Sequence, residues 1–448
     1  MGTLNLSSSI QAYRGSILHF LADPKTTPSG SYEFFPDGAL VTAGGYILQS
    51  GPYDRVLRSI PTTTPWVDYS GFFIMPGLID THVHYPQTEM IGAYGEQLLT
   101  WLNTYTFPTE QKYHNEAYAR SQADFFLQEL LRNGTTCAMV FATVHKASVE
   151  ALFDASLPLN MRIIAGKVLM DRHAPVPLLD TPKTGLDESK ELILKWHGKG
   201  RLLYALTPRF APTSTPEQLT SVRELLDEFS DLYVQTHLAE NRSEVAWVQN
   251  LFPTHQGYFD VYKSFGLTGK RSIFAHCIYL TDQEREAMAA SRSVASFCPT
   301  SNLFLGSGLF PLHEFEKAGI PVGLGTDVGA GTSFSLFRTL GEAYKVGQLQ
   351  GHSLSPFEGF YLATLGGARA LSLENCLGNL QAGKEADFIV VDPQSTPLMK
   401  ARFQNSQSLE EKLFVLMTLA DDRAIKATYI AGKKVTDLPP HGQRGEFP

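Results

Sequence analysis

"FFIMPGLIDTHVH", residues 72–84, is the stretch from which the rest of the chain can be read. It begins like a buried strand and ends in His82 and His84, one residue apart. In an extended strand residues i and i+2 face the same side, so both imidazoles project together from the strand's end. A single histidine in such a place is usually a satisfied core residue. A pair at a strand terminus asks for a shared purpose.

Seven more short apolar runs follow, at residues 135–143, 161–170, 201–210, 232–240, 272–280, 293–301 and 320–329. Helix-like stretches separate several of them, such as "PEQLTSVRELLDEF" (216–229), for which Thr215 is a natural N-cap. Eight strands alternating with helices predict a (β/α)8 barrel of the TIM type, in the α/β class. The runs end in His82 and His84, Arg209, His237 and Glu240, His276, Ser301 and Asp327. Barrel enzymes build their sites at the carboxyl ends of the strands, so these endings converge where chemistry is expected.

The flanks read differently. Residues 34–51, "LQAGKEADFIVVDP" and "IKATYIAGKKV" are short strand-like pieces with turn residues. Neither flank is large enough to fold well alone. The expected division is a barrel over 71–371 beside a small composite β-sandwich from 1–70 and 372–448.

Bulk properties exclude several classes. Hydrophobic residues make up 43% and charged ones 18%, as in ordinary globular proteins. The net charge of −8 argues against a nucleic-acid partner. "MGTLNLSSSI" lacks the pattern of a signal peptide, and Leu6 breaks the myristoylation pattern. No apolar run is long enough for a membrane span. Cys137, Cys277, Cys298 and Cys376 are widely spaced, so neither a disulfide framework nor a cysteine metal site is expected. The expectation is a cytoplasmic protein with no membrane partner.

His82, His84, His237, His276 and Asp327 form a nitrogen-and-oxygen donor set suited to zinc, iron or manganese. A catalytic metal keeps a position open for water and lowers its pKa. Asp327 can serve as ligand and as proton acceptor. Glu240, three residues after His237, reaches the same cavity without being needed as a ligand, as a proton carrier must.

"PGLIDTHVH", "THLAEN", "AHC" and "GLGTD", in this order, resemble the amidohydrolase superfamily. "HYPQTEMIGAYGEQLLTWLNTYTFPTE", "LLRNGTT", "GKVLMDR", "LTPRFAPTS", "FCPTSNLFLG" and "GTDVGAGTSFS" resemble more narrowly the guanine deaminase family. That resemblance implies one zinc per chain, held by His82, His84, His237, His276 and Asp327. A single metal also suits Lys167, which is set back from its strand end. The resemblance further implies that Gln87, Arg209 and Phe210 hold the purine, in contact with His237 and Glu240. Glu240 and Asp327 would move protons during hydrolytic deamination of guanine at C2 to xanthine and ammonia. A homodimer is implied as well.

The chemistry agrees with these roles. Guanine offers O6 and N7 as adjacent acceptors, which the donor-only fork of Arg209 suits. Adenine would meet Arg209 donor to donor and leave a buried charge unpaired. Gln87 supplies both a donor and an acceptor. Another purine, a pyrimidine or a triazine would use the same metal set, and only Gln87, Arg209 and Phe210 argue against them. A non-catalytic scaffold is the remote alternative.

Residues 92–114 read either as a lid or as a subunit contact. His114, His145, His173, His197, His255, His313 and His352 lie off the strand-end pattern. Surface or helix positions are the default for all seven; His173, just after the third strand and beside Asp171 and Arg172, is the first candidate for a role behind the pocket. Residues 411–423 read as a packing helix.

Overall fold

In the computed structural model, which describes residues 10–95 and 97–435, sixteen strands divide between two sheets. The reading of the amino terminus falls on residues 1–9 and, like the end of the carboxyl-terminal flank, lies outside the described residues. Four strands precede the barrel: β1 (Gln11–Phe20), β2 (Tyr32–Ala43), β3 (Tyr46–Pro52) and β4 (Trp66–Pro76). The barrel strands are β5 (Leu78–His84), β6 (Thr135–Phe141), β7 (Arg162–Gly166), β8 (Val168–Leu169), β9 (Leu203–Pro208), β10 (Tyr233–Leu238), β11 (Ser272–His276), β12 (Val294–Phe297) and β13 (Val322–Leu324). Three close the chain: β14 (Phe388–Val391), β15 (Ile425–Ile430) and β16 (Lys433–Lys434).

The barrel strands pair in parallel in sequence order, with β8 continuing β7 alongside β9. Closure runs through the segment after β13. The Asp327 N–H donates to the His82 carbonyl at 2.9 Å, and the His84 N–H donates to the Val328 carbonyl at 2.9 Å. The barrel is therefore sealed by the residues that carry its ionisable side chains. Helices lie between the strands, among them Glu116–Arg132, Lys146–Leu159, Pro182–Trp196 and Leu336–Leu349. Pro216–Glu228 starts where Thr215 accepts the Gln218 N–H. Leu409–Leu419 buries Leu413, Val415, Leu416 and Met417, which makes 411–423 largely a packing element.

The opening stretch splits where the sequence showed one run. Residues 71–76 pair in β4 of the terminal sheet, and the barrel strand starts only at Leu78. Gly77 makes the crossover because a side chain has no room there: an added Cβ would lie 2.0 Å from Thr136 Oγ1. The terminal sheet has the order β16–β15–β14–β4–β1–β2–β3, with only β1 and β4 parallel. Tyr13, Ile47, Ile74, Phe388 and Tyr429, drawn from distant strands, share one apolar core. Arg201 ties the two sheets together by hydrogen bonding to Asp387 and Glu385 just before β14.

Gly166, at the end of β7, gives a first test. An added Cβ would sit 1.8 Å from the Ala205 carbonyl oxygen, a backbone atom that cannot move aside. Gly166→Ala is expected to destabilise the fold by about 3 kcal/mol or more. Equilibrium denaturation measures this, and a wild-type midpoint would show that β7 and β9 pack less tightly.

Candidate active site

Four imidazoles and one carboxylate meet at the barrel mouth. His84 Nε2 lies 3.3 Å from His82 Nε2 and 3.1 Å from His237 Nε2. Asp327 Oδ1 lies 3.2 Å from His82 Nε2 and 3.4 Å from His84 Nε2, and Asp327 Oδ2 lies 3.8 Å from His276 Nε2. His82, His237, His276 and Asp327 each offer a ligand atom, and these atoms lie within 4.8 Å of one another; His84 borders the same space.

The opposite ring nitrogens are held by the scaffold. His237 Nδ1 donates to the Arg209 carbonyl at 2.7 Å, and His276 Nδ1 donates to Asn302 Oδ1 at 2.9 Å. Each bond fixes the tautomer that leaves Nε2 with a free lone pair. Beneath them Asp80 accepts the His82 N–H at 3.1 Å, the Thr326 N–H at 3.1 Å and the Thr326 hydroxyl. This carboxylate couples the ends of the first and last barrel strands. Ala239, His276, Cys277 and Asp327 all adopt positive φ, between 50° and 73°. Non-glycine residues hold that conformation only where the surroundings enforce it, and such residues cluster at functional sites.

The electrostatics suit a cation. Burial, then the neighbouring imidazoles, lowers the pKa of His84 and of His237 well below the usual histidine range, so both rings are neutral. Burial alone would raise the Asp327 carboxyl, but His82, His276 and His84 around it hold it well below the ordinary range. Three Nε2 atoms within 3.3 Å of a neighbour and one ionised carboxylate cannot all be satisfied by shared protons. A divalent ion satisfies them together, and the nitrogen-rich set matches that chemistry.

Glu240 stands beside the group without joining it. Its Oε2 is 3.5 Å from His276 Nε2, and Ser307 Oγ donates to its Oε1 at 2.9 Å. Burial raises its pKa. Glu244 accepts the Glu240 N–H at 2.8 Å and lines the same cavity, and burial pushes it up to about 7.

The cavity beside this group is bordered by His84, Gln87, Arg209, Phe210, His237 and Asp327. Arg209 does not stand free. Its Nη1 donates to both oxygens of buried Glu110, at 2.9 and 2.7 Å. Gln87 joins the same carboxylate: its Nε2 donates to Glu110 Oε1 at 3.4 Å, while its Oε1 accepts the Gly329 N–H at 3.2 Å. Phe210 is buried and packs edge-on to Trp247, with ring centroids 6.1 Å apart. Since Glu110 neutralises Arg209, the cost expected for adenine as an unpaired buried charge needs correction.

From residues 92–114, described except for Glu96, the side chains of Leu98, Trp101 and Leu102 line the cavity. Gln97 latches them down, accepting from Asn241 Nδ2 at 3.0 Å and donating to the Leu305 carbonyl at 3.2 Å. This lining accords with the lid reading. Asp171 accepts the Thr215 N–H at 2.8 Å, Arg172 donates to the Ala211 carbonyl at 3.1 Å, and His173 Nδ1 donates to the Pro212 carbonyl at 2.7 Å. All three brace the loop that carries Phe210. Lys167 is buried and paired with Asp180.

Glu110, Asn302 and Ser307 were not singled out in the sequence. Ser301, which was, has a buried hydroxyl without a partner; its neighbour Asn302 makes the contact to His276. Asp80, by contrast, carries a sequence signal: it precedes His82 by two residues on the same strand face.

The sequence model of the amidohydrolase family matches residues 73–435. The chain is 53% identical over 430 residues to guanine deaminase of Escherichia coli (strain K12), covering 95% of this chain and 98% of that one. Among solved structures it is similar to E. coli guanine deaminase, with a TM-score of 0.92 and 51% identity over 95% of this chain and 99% of the other. It is also similar to guanine deaminase from C. acetobutylicum with guanine bound in the active site, at a TM-score of 0.87 and 31% identity over 95% and 100% of the two chains.

Proposed function

This chain belongs to the amidohydrolase family, and on that premise we propose that its site hydrolyses guanine at C2, giving xanthine and ammonia. The observation that carries the reading is the Arg209–Glu110–Gln87 group, a neutralised fork of donors beside four convergent imidazoles. The high identity to guanine deaminases supports it over almost the whole chain.

His82, His84, His237, His276 and Asp327 would hold one zinc ion per chain. Lys167, paired away with Asp180, supports a single metal. When bound, the metal supplies Lewis acidity and a water acidified toward neutrality.

The remaining N–H donors of Arg209 meet O6 and N7 of guanine, and Gln87 meets the other ring edge. Adenine keeps the N7 acceptor but presents a donor amino group where guanine has O6, so one Arg209 donor is left facing a donor and adenine is disfavoured. Phe210 packs against the purine face. His237 and Glu240 touch the substrate from the metal side. Trp101 and Leu98 above exclude bulk water, which strengthens each of these bonds.

Glu240, kept easily protonated by burial, takes a proton from the attacking water and delivers it to a ring nitrogen. The second proton passes through Asp327 or Glu240 to the amino group. The C2–N bond then breaks, ammonia leaves and the carbonyl of xanthine forms. A cytoplasmic homodimer belongs to the same reading. Among the described residues no helix is long and apolar enough to cross a membrane.

Metal removal tests the donor set. Dialysis against a chelator should lower the melting temperature, and one zinc per chain should restore both that temperature and ammonia release from guanine. A stripped chain with unchanged melting and full turnover would contradict the assignment.

A further inference from the structure

At the other end of the last barrel strand from Asp327, a second group of metal-ligating side chains comes together. His313 is the second residue of the helix Leu312–Lys317, Glu316 lies one turn on, and His352 follows the helix Leu336–Leu349. Their donor atoms lie within 4.8 Å of one another. His313 Nδ1 is 3.8 Å from Glu316 Oε2, and His352 Nε2 is 3.7 Å from the same oxygen. The two rings stack, with centroids 4.7 Å apart and planes inclined by 20°.

Among the described residues neither nitrogen has a hydrogen-bond partner; both atoms are shielded from solvent, although the His313 side chain is 42% exposed as a whole. Distances near 3.8 Å are too long for a bond to Glu316. Two shielded ring nitrogens aimed at one carboxylate oxygen are costly as they stand, and such orphans call for a bound water or ion. A lone water can serve both rings only if each presents the right tautomer. A cation takes the lone pairs of both and the charge of Glu316 together.

The geometry points to a second metal site, formed by His313, Glu316 and His352, that takes a divalent transition cation of the zinc or nickel class. Two imidazoles and a carboxylate suit those ions, and they leave at least one position for water. A neighbouring cavity, lined by His313, Glu316 and Lys25, provides an entry path. Lys25 Nζ pairs with Glu316, so its ammonium competes with the ion and makes the site weaker than the one in the barrel mouth. The bound ion ties the helix Leu312–Lys317 to the turn at His352. Its role is structural, and it makes no contact with substrate.

The test is zinc titration of the dialysed holoenzyme, whose resident ion stays in place, followed by calorimetry and by melting temperature. Wild type should take up one further zinc per chain and melt higher as it does so. His313→Ala and His352→Ala should each weaken that uptake by about tenfold or more. All three side chains are partly exposed, so these variants should keep the fold. Lys25→Met, which removes the competing ammonium, should tighten it several-fold. No uptake by wild type, or uptake that persists in the His313→Ala/His352→Ala double variant, would overturn the site.

Discussion

Glu240→Gln is expected to lower kcat by about 10²–10⁴-fold while leaving metal content and melting temperature at wild-type values. The amide fills the same space, and its oxygen can still accept from Ser307 Oγ, the contact seen at 2.9 Å. It cannot take a proton from water or give one to the purine ring. Because Glu240 stands 3.5 Å from His276 and outside the donor set, the ion should be retained. The loss should fall on kcat more than on KM, as for an interaction needed only in the transition state. Near-normal turnover in this variant would remove Glu240 from the mechanism.

The second large effect concerns the buried pair of Arg209 and Glu110. Both are nearly inaccessible, and Glu110 has no solvent exposure at all. Breaking such a pair strands a charge. Glu110→Gln and Arg209→Met should each cost roughly 3–5 kcal/mol of folding stability. Replacing both partners should restore much of that stability, because no charge is then left alone. Turnover should follow a different pattern. Arg209→Met should lower kcat/KM for guanine by about 10²–10³-fold, and the double variant should not recover it. Glu110→Gln should raise KM by misplacing both Arg209 and Gln87. Denaturation and steady-state kinetics on the three variants separate the two roles. If the double variant recovered turnover along with stability, Arg209 would be an architectural residue and not a purine contact.

The sequence made some parts of this site legible and hid others. The barrel and its five metal-site candidates were readable because each lies at the end of an apolar run, where strand periodicity fixes direction. Glu110 was hidden because its partner Arg209 is 99 residues away. Within "FPTEQ" it looks like any helical glutamate. The break at Gly77 was hidden because two strands abut in one continuous apolar run, and only tertiary crowding at Thr136 separates them. Whether residues 92–114 cover the site was open in the sequence for the same kind of reason. Leu98 and Trp101 show an apolar face, but not what that face meets.

The same limit explains His313 and His352. Neither belongs to a recognisable spacing motif, and they meet only because a helix after the last barrel strand returns to the face where Leu312–Lys317 begins.

Ammonia release by the purified, zinc-loaded protein, measured in parallel on guanine, adenine, a pyrimidine and a triazine with each product identified, tests the central claim most directly. The account predicts rapid conversion of guanine to xanthine, with adenine slower by orders of magnitude. Preference for adenine or a triazine would contradict the purine contacts assigned to Arg209, Gln87 and Phe210, even with the metal in place.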